Sequence, residues 1–226
     1  MPDSVLSHLS FQVLPLTDNP FETSASIYDQ WYEDFPTIFY SEVLALRALL
    51  PPEGNWVEIG VGTGRFAAEL GIRIGIEPTE GMATLARNRG IDVLQGVAEA
   101  LPLESASLDA IFFITTLCFV QEVQTALVEA FRVLNPAGSC IIGLLPLDSA
   151  LGKATQAQAA NDLFFKDAHL RTKAEVLCAL EAAGFVLQAS SQTLIGDPST
   201  FASCTPVQRP GHDRGSFVVF RASKAS

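Results

Sequence analysis

The stretch "WVEIGVGTGRF", Trp56 to Phe66, places Gly60, Gly62 and Gly64 directly after an apolar run that holds one acid, Glu58. Glycine tolerates backbone conformations that other residues resist, and it lets the main chain approach a neighbour closely. The run therefore reads as the end of a buried strand turning sharply into a helix. Taken alone, a glycine triplet fits either a ligand-binding turn or a bare tight turn.

Working outward, the chain alternates strand and helix. Strands are expected at 56–60 and 72–77, with a helix near 64–70 between them. "TEGMATLARNRG" reads as a helix from Thr79 to a stop at Gly90. "IDVLQ" is a third strand, and "LDAIFFITT" at 108–116 is a fourth, apolar on both faces as in a covered parallel strand. Apolar residues at 123, 126, 127, 130, 131 and 134 have helical spacing. "NPAG" ends that helix and "SCIIGLL" is a fifth strand. Residues 147–170 read as an irregular insertion. Thr172 and Glu175 form a capping box opening a helix that Gly184 closes. Two late strands, "FVLQASSQTL" and "GSFVVFRA", have only loop-like sequence between them and so can pair antiparallel.

This pattern predicts an α/β fold: a doubly wound, mostly parallel, seven-stranded sheet with an antiparallel terminal strand pair. Residues 1–50 are expected to form an N-terminal cap, loosely held over 1–20 and then helical and aromatic from Thr23 to Leu50. Residues 51–226 form the core. In such sheets ligands bind beyond the carboxyl ends of the strands, where the strand order reverses.

Composition narrows the function. The net charge is −11, and the first sixty residues hold nine acids against one base, Arg47. Nucleic-acid binding relies on Lys and Arg to neutralise phosphates, so a nucleic-acid substrate is not expected. Cys118, Cys140, Cys178 and Cys204 are far apart, and His8, His169 and His212 complete no zinc pattern. Isolated reduced thiols, three of them in core elements, suit a cytoplasmic location. No signal peptide is apparent, and no apolar run approaches the roughly 18 residues of a spanning helix, so no membrane association is expected.

The glycine spacing is G-x-G-x-G, with Arg65 where the dinucleotide fingerprint G-x-G-x-x-G has its last glycine. Glu77 closes the second strand, where an acid can accept both hydroxyls of a ribose. A nucleoside is supported and a pyrophosphate is not. No Gly-Lys-Ser/Thr follows, so there is no P-loop.

Over residues 23–190 the chain resembles a class I S-adenosylmethionine-dependent methyltransferase of the type 11 group, which includes the ubiquinone-biosynthesis type. "VEIGVGTGRF", "GIEPTEGM", "GVAEALPLESASLDAI" and "AFRVLNPAGSCIIG" resemble successive motifs of that family in order. The resemblance implies S-adenosylmethionine as cofactor. It implies that Gly60, Gly62 and Gly64 line its methionine and ribose side, and that Glu58 meets its ammonium. Glu77 would take the ribose hydroxyls, Pro78 and Met82 the adenine face, and Ala98 and Glu99 the adenine edge. Met82 is equally open to ordinary helix packing. Gly62 is expected to be crowded by the ligand rather than to require a positive φ.

Transfer of a sulfonium methyl needs no metal. It needs alignment, and proximity alone can contribute roughly 7–11 kcal/mol. A general base is required only if the acceptor must lose a proton, and none is identified. Thr115, after strand four, is expected to contact cofactor or substrate. Tyr28, Trp31 and Tyr32 of the aromatic cap, Phe119, and His169 of the insertion are the acceptor-pocket candidates, with a surface position the better reading of His169. The acceptor expected is a small molecule: the Asn-Pro-Pro-Tyr motif of DNA amino-methyltransferases and the Pro-Cys nucleophile of cytosine enzymes are both absent. Rival readings are a non-catalytic S-adenosylmethionine-binding module and a nicotinamide-dependent oxidoreductase. The short-chain type of the latter would need a Tyr-x-x-x-Lys well beyond Tyr40, the last tyrosine.

Overall fold

A computed structural model describes residues 19–225. The looseness expected of residues 1–20, and His8, fall almost wholly outside that range. Three short helices lead: α1 (Pro20–Thr23), α2 (Ala25–Asp34) and α3 (Pro36–Arg47). The helical stretch expected from Thr23 to Leu50 is broken at Ser24, between α1 and α2, and at Phe35, where Pro36 begins a new helix in the position proline tolerates.

The sheet comprises β1 (Trp56–Ile59), β2 (Ile74–Ile76), β3 (Asp92–Leu94), β4 (Leu108–Ile114), β5 (Leu134–Leu144), β6 (Phe185–Thr193), β7 (Arg209–Pro210) and β8 (Phe217–Lys224). Its order is β3-β2-β1-β4-β5-β8-β6-β7. The pairs β1–β2, β1–β4, β2–β3 and β4–β5 are parallel, and β8 runs antiparallel to both β5 and β6. The sheet has eight strands rather than seven. The extra one, β7, is a two-residue edge pairing in the segment read as loop, too short to carry any alternation.

Helices α4 (Arg65–Leu70), α5 (Glu80–Asn88), α6 (Val123–Val133), α7 (Ala150–Gln158) and α8 (Lys173–Ala182) complete the chain. The insertion is therefore not irregular throughout, since α7 is capped by the Ser149 hydroxyl accepting from Gly152 N. "NPAG" does not separate helix from strand either: β5 starts at Leu134 and passes through it with a register shift against β4. The Thr172–Glu175 capping box is present.

Side chains of β4 alternate between two cores, as strand geometry requires. Ile111 and Phe113 face a core shared with α6 and α8, whereas Ala110, Phe112 and Ile114 face one shared with α3 and α4. Both phenylalanines are fully buried, each stabilising the fold by roughly 1.5–3 kcal/mol. Strand order reverses between β1 and β4, so the crevice opens beyond Ile59 and Ile114. No helix among the described residues is long and apolar enough to cross a membrane.

Candidate functional site

The loop after β1 is anchored to β2: Gly60 N and Val61 N both donate to Ile76 O, at 2.8 and 3.1 Å. The three glycines serve three purposes. A Cβ on Gly60 would lie 2.4 Å from Thr116 Cγ2, and Thr116 is itself held by its hydroxyl on Ile59 O. Gly62 has φ +54, yet a Cβ there would meet nothing nearer than 4.0 Å. Protein crowding at Gly62 is thus absent, and the positive φ, not expected from sequence, is its constraint. Gly64 does not line the cleft. Its Cβ position lies 2.9 Å from Ala86 Cα, so it packs α4 against α5, the helix-packing part the dinucleotide fingerprint gives to its last glycine.

Glu77, buried at the end of β2, accepts from Gly62 N at 3.0 Å through one oxygen and from Thr79 N and Oγ1 at 3.1 and 2.7 Å through the other. It therefore fixes the glycine loop while lining the cleft. Met82, buried, and Ala98 line the cleft with it, alongside exposed Pro78 and half-buried Glu99, whose carboxylate accepts from the backbone of Gln121 and Glu122.

Glu58 lies at the mouth of β1, 2% exposed, and its Oε2 has no hydrogen-bond partner. Burial, and then the charge of Glu77, push its pKa well above the usual carboxylate range. An unpaired buried acid is costly, and a cation brought to it removes that cost. The cleft thus offers an acid for a cation, a second acid for hydroxyls, and open backbone at Gly62. These are the features needed for an amino-acid-bearing nucleoside, and the residues present fit S-adenosylmethionine.

A second cavity adjoins the cleft, and Tyr28, Tyr32, Thr115 and Phe119 line both. Tyr28 and Tyr32 share a hydroxyl–hydroxyl hydrogen bond of 3.0 Å, and burial raises the pKa of Tyr28 to about 12. Phe21 of α1 sets its ring edge-on to Phe119, with centroids 5.0 Å apart. Thr115 has φ +51, a strained conformation for a β-branched residue; its N–H is held by Gly143 O at 2.8 Å. Strain of this kind concentrates at ligand sites. Leu151, Thr155, Phe164 and Phe165 of the insertion close the cavity.

Trp31 lines the second cavity as expected, but His169 lines neither. It is exposed, and its backbone N–H is tied to Cys118 O at 2.7 Å. Sequence reasoning missed Glu42, a buried acid of α3 facing this cavity. It also missed Arg171 and Cys118. Of the four thiols only Cys140 is buried, while Cys178 is exposed, contrary to expectation; none is in a disulfide.

Helix α2 is tied to the glycine loop by charge. Asp29 accepts from Arg65 Nε and Nη2 at 2.8 Å each and from Arg89 Nη2 at 2.7 Å, while Arg89 Nη1 donates to Thr63 O at 2.8 Å. The aromatic cap is thereby fastened to the segment that forms the cleft floor.

Comparison with known proteins agrees with this geometry. Residues 57–142 match the family described as a methyltransferase domain, the type 11 group. An uncharacterized protein of Methanocaldococcus jannaschii is 34% identical over 206 residues, covering 91% of this chain and 99% of that one. The crystal structure of a SAM-dependent methyltransferase from Thermotoga maritima, a possible histamine N-methyltransferase, superposes with a TM-score of 0.86 at 40% identity, covering 91% of this chain and 98% of that one. A malonyl-[acyl-carrier protein] O-methyltransferase of Methylococcus capsulatus is 29% identical over 178 residues, covering 72% of this chain and 63% of that protein.

Proposed function

The chain belongs to the class I S-adenosylmethionine-dependent methyltransferases, and on that premise we propose that it methylates a small organic acceptor held in the cavity beside Thr115. The observation that carries this reading is the junction of the two cavities at Tyr28, Tyr32, Thr115 and Phe119. Bound S-adenosylmethionine supplies an electrophilic methyl group on a sulfonium.

The protein's own residues then have three tasks. Glu58 and Glu77 orient the donor by its ammonium and ribose, with Gly60 and Gly62 giving its backbone-facing side room. Met82, Pro78, Ala98 and Glu99 hold the adenine. The aromatic walls at the junction exclude water and align the acceptor for in-line displacement, where proximity contributes roughly 7–11 kcal/mol. Four free thiols fit a reducing, cytoplasmic setting, and the acidic charge balance supports a small acceptor over nucleic acid. The two named relatives point to different acceptors, histamine for one and malonyl-[acyl-carrier protein] for the other.

The test is turnover. Incubation with S-adenosylmethionine and a panel of small amines, phenols, carboxylates and thiols should release S-adenosylhomocysteine with at least one of them. Tight cofactor binding with no turnover on any acceptor would favour the non-catalytic binding module instead.

A further inference from the structure

Glu42 is the group the account so far leaves without a task. Its side chain is 9% exposed and lines the second cavity. Among the described residues no hydrogen bond or ion pair reaches its carboxyl. It shares the cavity with the aromatic residues Tyr28, Trp31 and Tyr32. Two N–H groups of the same cavity, Trp31 Nε1 and Arg171 Nε, are buried without partners. An unmade hydrogen bond at a buried donor is costly, so each of these groups is a demand that an occupant can meet.

We propose that the second cavity selects a small amine, whose basic nitrogen is bound by Glu42 among the aromatic rings and whose far end carries a hydrogen-bond acceptor for Trp31 or Arg171. This rests on the methyltransferase reading and names its acceptor class. Aromatic rings attract a cation by their quadrupoles, and an unpaired acid attracts it by charge. Burial alone pushes Glu42 up to about 8, so a bound ammonium is what draws it into its ionised form, whereas a carboxylate would hold it as the neutral acid and gain no charge attraction from it. The other titratable groups facing the cavity are the Tyr28 and Tyr32 phenols, the Cys118 thiol and Arg171. Arg171 comes from the segment before α8, where its Nη2 donates to Val120 O at 3.4 Å, whereas Glu42 comes from α3.

The same carboxyl has a chemical use. An ammonium has no lone pair with which to attack a methyl group. Passing one proton to ionised Glu42 converts R–NH3+ and –COO− into R–NH2 and –COOH, leaving both neutral in an apolar space. A carboxyl raised toward the amine's own range is the better acceptor of that proton.

The test uses the whole protein saturated with S-adenosylhomocysteine. Calorimetry compares tyramine and histamine with their size-matched alcohols, and with the carboxylate hydroxyphenylpropanoate. The expected result is that at least one amine binds about tenfold or more tighter than its alcohol, with the carboxylate weakest. In E42Q, which matches the neutral acid in shape, that preference should shrink below about threefold while S-adenosylhomocysteine affinity holds within about twofold. Equal binding of amine and alcohol by the wild type overturns the inference, whether or not E42Q folds. So does an amine preference that survives in folded E42Q. Failure of S-adenosylhomocysteine to bind the wild type is a separate result, and it overturns the cofactor reading beneath this one.

Discussion

Glu58→Gln separates the two roles a buried acid can have. The side chain is 2% exposed, its Oε2 has no partner, and burial together with Glu77 holds its pKa well above the usual range. Burial favours its uncharged form in the unliganded protein, and glutamine copies that form in size and neutrality. The free variant should therefore melt within about 2 °C of wild type, corresponding to roughly 0.5 kcal/mol for a chain of this length. Ligand binding should respond differently. A hydrogen bond between charged groups contributes about 1.5–3 kcal/mol, or roughly ten- to a hundredfold in affinity. Part of that is offset by the cost of ionising a buried acid. A carboxyl whose raised pKa is lowered by a bound cation releases a proton on binding, so wild-type affinity should rise with pH until Glu58 ionises unaided. The variant should lack that component. The assay is isothermal titration with S-adenosylhomocysteine and with methylthioadenosine, which lacks the amino-acid portion. S-adenosylhomocysteine should lose about tenfold or more in the variant, and methylthioadenosine less than about twofold. Equal losses for the two ligands, or no loss for S-adenosylhomocysteine, would refute the assignment of Glu58 to the ammonium.

Gly62→Ala puts a Cβ residue at φ +54, which costs about 1–2 kcal/mol. The free protein should melt roughly 2–8 °C lower, and S-adenosylhomocysteine should bind about tenfold more weakly; an unchanged melt would mean the loop relaxes. Glu77→Ala removes the acceptor for Gly62 N, Thr79 N and Thr79 Oγ1 as well as the proposed ribose contact. It should lower both the melting temperature and cofactor affinity, and loss of stability with full affinity would place the ribose elsewhere. Burial would raise the pKa of Asp29, but donation from Arg65, Thr63 and Arg89 outweighs it and holds the value at about 2 against a usual 3.8. Its stabilising effect is present above the unfolded value and is lost as pH falls from about 4 to 2, so the stability gap between wild type and Asp29→Asn should close over that window in acid melts. A gap that stays constant through the window would count against the tie between α2 and the glycine loop.

Much of the parallel half of the sheet was legible, because β1 is an apolar run ended by Gly60 and β4 is an apolar run buried on both faces. The short edge strand β7 was not, since two residues carry no period. Helix α7, "ALGKATQAQ", buries only Leu151, Gly152 and Thr155, too few to announce a helical face. In the site, Glu58 was found as the one acid within an apolar strand and Glu77 from its place at the end of the next, whereas the separate tasks of the three glycines depended on φ values and neighbours that sequence does not state. Glu42 carried a signal that went unread. It falls four residues after Ile38 and four before Leu46, in the buried stripe of α3. An acid inside an apolar stripe at helical spacing is a buried acid, and a buried acid wants a partner.

The central claim is that the crevice beyond β1 and β4 binds S-adenosylmethionine. Thermal melts with S-adenosylhomocysteine, NAD and ATP at matched concentrations test it most directly. At a hundredfold excess over Kd, S-adenosylhomocysteine should stabilise the protein by about 2.7 kcal/mol, a rise of roughly 5–10 °C, with smaller rises from NAD and ATP. A melt raised by NAD and unmoved by S-adenosylhomocysteine would contradict the account.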